Sequence, residues 1–380
     1  MKKTDTAKRA IALHKKWGGK IRIAPTTPIK NRADMSLAYT PGVAAVSMLV
    51  AKNKKLAREY TIKGKMIAVI SDGSAVLGLG NIGALGALPV MEGKAALFKT
   101  FANVDAFPIV LDTQNVDEVV ETIIRIAPAF GGINLEDFAA PNCFEIEDRV
   151  KAALDIPVMH DDQHGTAIAV LAALINAAKV VKKDFKKLKV VVAGAGAAGT
   201  AVTKLLLKAE VKDIIVLDRK GTLSKKRTDL TGHKKDLADK TNPRDVHGSL
   251  QDALTGADVV LGVSGPGLMS ATDVRLMAKN SIVLAMANPT PEIMPEEAKK
   301  GGAAVIGTGR SDYPNQINNS LVFPGVFRGA LDNKVTKITD DMKLKAAKNL
   351  AALVKKPTAE KIVPGPFDKG VVQAVAKAIK

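Results

Sequence analysis

A chain of 380 residues with 47% hydrophobic and 25% charged content has a globular composition, long enough for two domains with their own cores. No uncharged apolar run reaches the roughly 18 residues of a membrane span, and the basic start Met1-Lys-Lys-Thr-Asp-Thr-Ala-Lys-Arg lacks the apolar stretch of a signal peptide. A net charge of +18 raises nucleic acid as a partner, but 4% aromatic content leaves few stacking platforms, so the positive field is read as drawing in anionic small molecules.

Residues 4–17 read as a short amphipathic helix. Past residue 60, short β-prone runs at Lys65–Ser71, Ala106–Asp112 and Ile156–His160 alternate with helical ones at Asn81–Ala102, Val116–Ala127 and Glu145–Ala153. Strands follow near Val190–Gly194, Asp213–Asp218, Val259–Val263, Ile282–Met286 and Ala303–Gly307. Such alternation predicts an α/β fold, with parallel sheets covered on both faces. The boundary is placed at Asp161–Gln163, where one α/β unit closes and the apolar helix Gly165–Val181 begins. This gives residues 1–161 as a substrate and metal domain and 162–380 as a doubly wound, Rossmann-type domain. Helical patterns at Met342–Val354 and Gly370–Ile379 are expected to pack back on the first domain. Cys143 is the only cysteine, so no intrachain disulfide forms and a reducing, cytoplasmic setting is expected; it reads as a small core residue.

Two segments carry the chemistry. In Ile156-Pro-Val-Met-His-Asp-Asp-Gln-His-Gly-Thr166 and Glu136-Asp137, carboxylates follow apolar, β-prone runs. Both sets are therefore expected on loops at strand ends, where Glu136, Asp137 and Asp162 converge on one hard divalent cation such as Mg²⁺ or Mn²⁺. The GxGxxG pattern occurs twice. Gly78–Gly83 does not leave a strand directly and reads as a tight loop and helix start. Gly194-Ala-Gly-Ala-Ala-Gly199 follows the strand Val190–Ala193, precedes the helix Ala197–Ala209, and is followed by a second strand ending in Asp218. That is a dinucleotide fingerprint: Gly194, Gly196 and Gly199 admit the turn and the pyrophosphate, and Asp218 stands at the ribose. Asp218 favours a free 2′-hydroxyl, hence NAD, whereas Arg219, Lys220 and the basic run to Lys240 favour the 2′-phosphate of NADP. The carboxylate tips the reading slightly to NAD.

Over nearly its whole length the chain resembles the short, prokaryotic-type malic enzymes. The resemblance rests on Ser36-Leu-Ala-Tyr-Thr-Pro-Gly-Val43, Ile70-Ser-Asp-Gly-Ser-Ala-Val-Leu-Gly-Leu-Gly-Asn-Ile-Gly83, Pro89-Val-Met-Glu-Gly-Lys-Ala95 and Asn134-Leu-Glu-Asp137. Further on it rests on His160-Asp-Asp-Gln-His-Gly-Thr166, Met286-Ala-Asn-Pro-Thr290 and Asn318-Asn-Ser-Leu-Val-Phe-Pro-Gly325. It implies oxidative decarboxylation of L-malate to pyruvate and CO₂ with reduction of NAD or NADP, by a homodimer or higher homo-oligomer, with malolactic conversion to lactate as the near rival. A more distant rival is a non-catalytic dinucleotide-binding regulator. It implies Tyr39 as general acid, Lys94 as general base, and Glu136, Asp137 and Asp162 as metal ligands. Asn288 and Asn318 are implied as substrate-binding, with Asn288 also at the cofactor. Burial within Leu88–Phe98 is expected to lower the pKa of Lys94 towards that of a base. Asp72 and Asp161 are candidates for orienting Lys94 or the cation, and His160 and His164 are read as supporting residues rather than ligands. One departure stands out: animal-type enzymes carry an arginine before the Leu-Gly-Leu-Gly segment, where this chain has Ala75 or Val76.

Overall fold

The computed structural model describes residues 3–380, the first three as backbone only. Two parallel sheets organise it. The first has the order β2-β1-β3-β4, with β1 Met66–Ser71, β2 Asp105–Val110, β3 Gly132–Leu135 and β4 Val158–His160. The second has the order β10-β9-β8-β5-β6-β7, with β5 Lys189–Ala193, β6 Asp213–Asp218, β7 Gly221–Thr222, β8 Val259–Gly262, β9 Ile282–Ala285 and β10 Val305–Thr308. Only β7 runs antiparallel. Strand order reverses at β5, the switch point where ligands enter such sheets.

Buried on both faces, the inner strands are continuous apolar runs such as Val190–Ala193 rather than alternating ones, whereas the edge strand β2 is only partly buried. The helix Asp161–Val180 joins the two sheets and buries most of its length, Ala167 to Leu174 without a break. One core runs from Ile67 and Phe98 of the first unit through this helix to Val190 and Val216 of the second. The boundary residues thus lie at the start of a central helix, not in a linker. The C-terminal helices Asp340–Ala352 and Val371–Ala376 pack on the helices Asp161–Val180 and Phe323–Asp332. The segment between them reaches the first unit's helix Gly83–Ala102 through Phe367 against Phe101.

Arg32–Lys52 is long and apolar enough, by composition, to cross a membrane, which the sequence reading overlooked. It folds as two helices, Arg32–Ala38 and Val43–Lys52, broken at Tyr39-Thr-Pro-Gly42, and neither contains a buried residue.

Candidate active site

The register of the first sheet builds the acidic cluster. Leu135 of β3 pairs with His160 of β4, so the residues just beyond each strand emerge side by side. Glu136, Asp137 and Asp162 each present an oxygen, all within 4.8 Å of one another. One expectation is corrected: Asp161 and Asp162 form the first turn of the helix Asp161–Val180 rather than a loop. Acids suit that turn, where unpaired N–H groups leave positive potential. Asp137 adopts φ +57°, a costly conformation for a non-glycine residue, and its N–H donates to Asp162 Oδ2 at 2.7 Å. Its Oδ2 is buried without a hydrogen-bond partner. A bare buried carboxylate oxygen is costly unless a cation meets it, and the all-oxygen donor set suits Mg²⁺ or Mn²⁺. The residues fit the ion.

Lys94 projects from the helix Gly83–Ala102 into this cluster and is only 6% exposed. Its ammonium pairs closely with Glu136, meets Asp161 Oδ2 at 2.5 Å, and lies 4.5 Å from the centre of the Phe323 ring. Here the structure corrects the sequence reading. Burial does disfavour the Lys94 charge, but Asp161 and Glu136 outweigh it and hold the pKa above its ordinary value. As a base, Lys94 needs that negative charge offset.

The carboxyl pKa values are raised as well, here by burial itself. Burial and the Asp162 charge push Asp137 up to about 7. Burial lifts Asp161 to about 6 despite Lys94, and Glu136 lies well above the usual carboxylate range for the same reason. Folded pKa values above the unfolded ones mean these groups stabilise the fold at low pH, an effect lost as pH rises through the folded values. Chelator-treated protein should therefore lose several degrees of Tm between about pH 5 and pH 8, and Mn²⁺ should restore them. A Tm flat over that window, with and without Mn²⁺, would count against the cluster as described.

Sequence reasoning missed the platform beneath. Glu147, 3% exposed, accepts the His160 N–H at 2.9 Å, Gln163 Nε2 at 3.2 Å and His164 Nε2 at 2.9 Å, and pairs with Lys151 at 2.6 Å. The available signal was a glutamate on the apolar stripe of its helix, beside Cys143, Ile146 and Val150. Burial pushes His164 down to about 4, so its neutral ring donates to Glu147 at physiological pH. His160 is fully buried with Nε2 3.5 Å from Asp162 Oδ2. Asp72 is engaged by Ser74 rather than Lys94: its Oδ1 accepts from Ser74, whose Oγ accepts the Ala139 N–H at 2.8 Å, tying the loop after β1 to the Glu136–Asp137 turn.

Gly165 is required by the same geometry. A Cβ there would lie 1.8 Å from Asp161 Oδ1 and 3.1 Å from Asn319 Cβ. Gly165→Ala should displace Asp161 from Lys94 and lower kcat/KM by about tenfold or more, although alanine is the better helix former. Unchanged kinetics in this variant would refute the Asp161–Lys94 contact as a working one.

The same contact puts the Asn318–Asn319 turn beside the acidic cluster, with Asn318 Oδ1 capping Ser320 N at 2.9 Å. Asn288 abuts the Leu77–Gly80 loop, since a Cβ on Gly78 would lie 2.1 Å from its carbonyl oxygen. Tyr39 is different. It is 66% exposed, and among the described residues no hydrogen bond links its side chain to Lys94 or the carboxylates.

A cleft of about 1200 Å³ is lined by Gly194 and Gly196 beyond β5, Asp218 beyond β6, Ser264 beyond β8, and Ala140 and Pro141 from the segment that follows Asp137. Gly194 takes φ +133°, and a Cβ on Gly199 would lie 1.8 Å from its carbonyl oxygen. Gly196, which caps the helix Ala197–Lys208, faces open space where a pyrophosphate fits. His233, also missed in the sequence, bonds the Ala195 carbonyl at 3.0 Å and packs with a tilted ring against Phe144 of the first unit.

A glycine-lined cleft at the switch point, together with a buried lysine among carboxylates at the strand ends of the first sheet, defines the class as a dinucleotide-dependent oxidoreductase. Comparison with known proteins narrows it. Residues 18–151 match the family model for the malic enzyme N-terminal domain, and residues 163–377 that for the malic enzyme NAD binding domain. The bifunctional malic/malolactic enzyme of Bacillus subtilis is 52% identical over 97% of this chain and 91% of its own length. The NADP-dependent malic enzyme of Halomonas elongata is 44% identical over 98% and 93%. A crystal structure of the NAD-dependent malic enzyme from Thermotoga maritima superposes with a TM-score of 0.94 at 45% identity, covering 97% of this chain and 98% of that one. The chain belongs to the malic enzyme family.

Proposed function

We propose that this protein catalyses the divalent-metal-dependent oxidative decarboxylation of L-malate to pyruvate and CO₂, reducing NAD or NADP. The observation that carries the reading is Lys94 buried between Asp161 and Glu136 beside Asp137's unpartnered oxygen. Residues 1–161 supply Tyr39, Lys94, Glu136, Asp137 and Asp161, and residues 162–380 the nucleotide site together with Asp162, Asn288 and Asn318. When bound, a cation on Glu136, Asp137 and Asp162 supplies a Lewis acid for the 2-oxygen and the charge that frees Lys94 of its proton; the nicotinamide supplies the hydride acceptor. Lys94 then takes the proton of the 2-hydroxyl, while Asp161 and Phe323 fix its position. Asn288 and Asn318, at the rim of the cluster, orient the substrate's carboxylates. Tyr39 returns a proton to C3 after CO₂ leaves.

Its exposure bears on assembly. Around Tyr39, Met35, Leu37, Met48 and Leu49 are also exposed, an unusual apolar face. A second copy covering this face, in a homodimer or larger homo-oligomer, removes Tyr39 from water.

Omission assays test the proposal: nicotinamide reduction should require L-malate, Mn²⁺ and NAD or NADP together. Turnover without the cation would overturn it. The Bacillus subtilis relative's bifunctional name favours malolactic conversion as the second reading. Lactate as the product, with no net reduced cofactor, would select it.

A further inference from the structure

A carboxylate at the end of the second Rossmann strand selects NAD only if its oxygens are free for the ribose hydroxyls and its charge opposes a 2′-phosphate. Neither holds for Asp218. Its Oδ1 accepts from Arg227 Nη1 at 2.7 Å and from the Lys220 N–H at 2.9 Å. Its Oδ2 accepts from Arg227 Nη2 at 3.2 Å and from Lys234 Nζ at 2.7 Å. The Asp218 side chain is 8% exposed. Arg227 is in turn held by Asp229, which also pairs with Lys220. Two carboxylates thus face Arg227, Lys234 and Lys220, and Arg219 lines the same cleft, so this rim carries an excess of two positive charges. Lys234 also lines the cleft, is 36% exposed, and spends one of its three donors on Asp218.

We propose that the cleft takes a 2′-phosphorylated dinucleotide, with Lys234 and Arg219 holding the phosphate and Arg227 a positioning residue that keeps Asp218 from opposing it. This rests on the reading of the cleft as the nucleotide site. It reverses the lean towards NAD that Asp218 alone gave, because Arg227 reaches back across the β6–β7 hairpin to engage it. The phosphate would replace water around Lys234, not break the Arg227–Asp218 pair, so the cost of admitting it is small.

Fluorescence titration of the full-length protein with NADPH and with NADH, without malate or metal, tests this. NADPH should bind more tightly, and its advantage should shrink as ionic strength rises. Lys234→Ala should weaken NADPH about tenfold and NADH by less than about twofold. Arg227→Ala should remove two of the four hydrogen bonds to Asp218 and shift preference towards NADH, with thermal melts confirming that both variants fold. Tighter NADH binding by the unmodified protein, or equal weakening of both nucleotides by Lys234→Ala, would overturn the proposal. Binding of neither nucleotide would remove the nucleotide-site reading itself, and the proposal with it.

Discussion

Asp137→Ala should abolish Mn²⁺ binding and lower malate turnover by about a thousandfold or more, while leaving nucleotide binding intact. The expectation rests on the crowding of Glu136, Asp137 and Asp162. Removing one ligand leaves too few oxygens to hold a hard cation against water. It also relieves like-charge repulsion, so the variant should melt at or above the unmodified protein's temperature once metal is removed from both. Loss of function with gain of metal-free stability is a pattern that simple misfolding does not produce. Isothermal titration with Mn²⁺, paired with thermal melts, checks both halves. Near-normal turnover with chelator present would show the metal assignment to be wrong.

Lys94→Ala should be at least as damaging, by about three orders of magnitude or more in kcat, because it removes a proton acceptor and leaves Glu136 and Asp161 buried without their partner. Its effect should reach both malate oxidation and oxaloacetate decarboxylation. Tyr39→Phe should behave otherwise, sparing reduction of a 2-oxo acid more than decarboxylation and protonation at C3. Measuring the partial reactions separately decides this. Equal losses in every partial reaction from Tyr39→Phe would end its role as a specific acid.

Strands and their order of appearance were largely legible in the sequence, because strands buried on both faces are compact apolar runs with abrupt ends. Asp213–Asp218 is one such strand, read with the bounds it has in the structure. The dinucleotide turn was legible for a related reason: Gly194 and Gly199 serve steric needs that only glycine meets. What escaped was set by partners distant in sequence. The pKa of Lys94 depends on Asp161, 67 residues away, so burial alone gave the wrong direction. Glu147 belongs to no motif, and its role comes from the start of the helix Asp161–Val180, which rests on it from 13 to 17 residues away. Asp218 looked like an NAD selector because nothing in the spacing reveals that Arg227 folds back onto it. The exposed face around Tyr39 also escaped, since an exposed apolar residue reads in the sequence the same as one in a core.

A product balance tests the oxidative decarboxylation most directly. Purified protein incubated with L-malate, Mn²⁺ and excess NADP or NAD should release CO₂, pyruvate and reduced nicotinamide in equal amounts, with no lactate and no accumulated oxaloacetate. Reduced nicotinamide with oxaloacetate but no CO₂, or no reaction with either nucleotide, would contradict it.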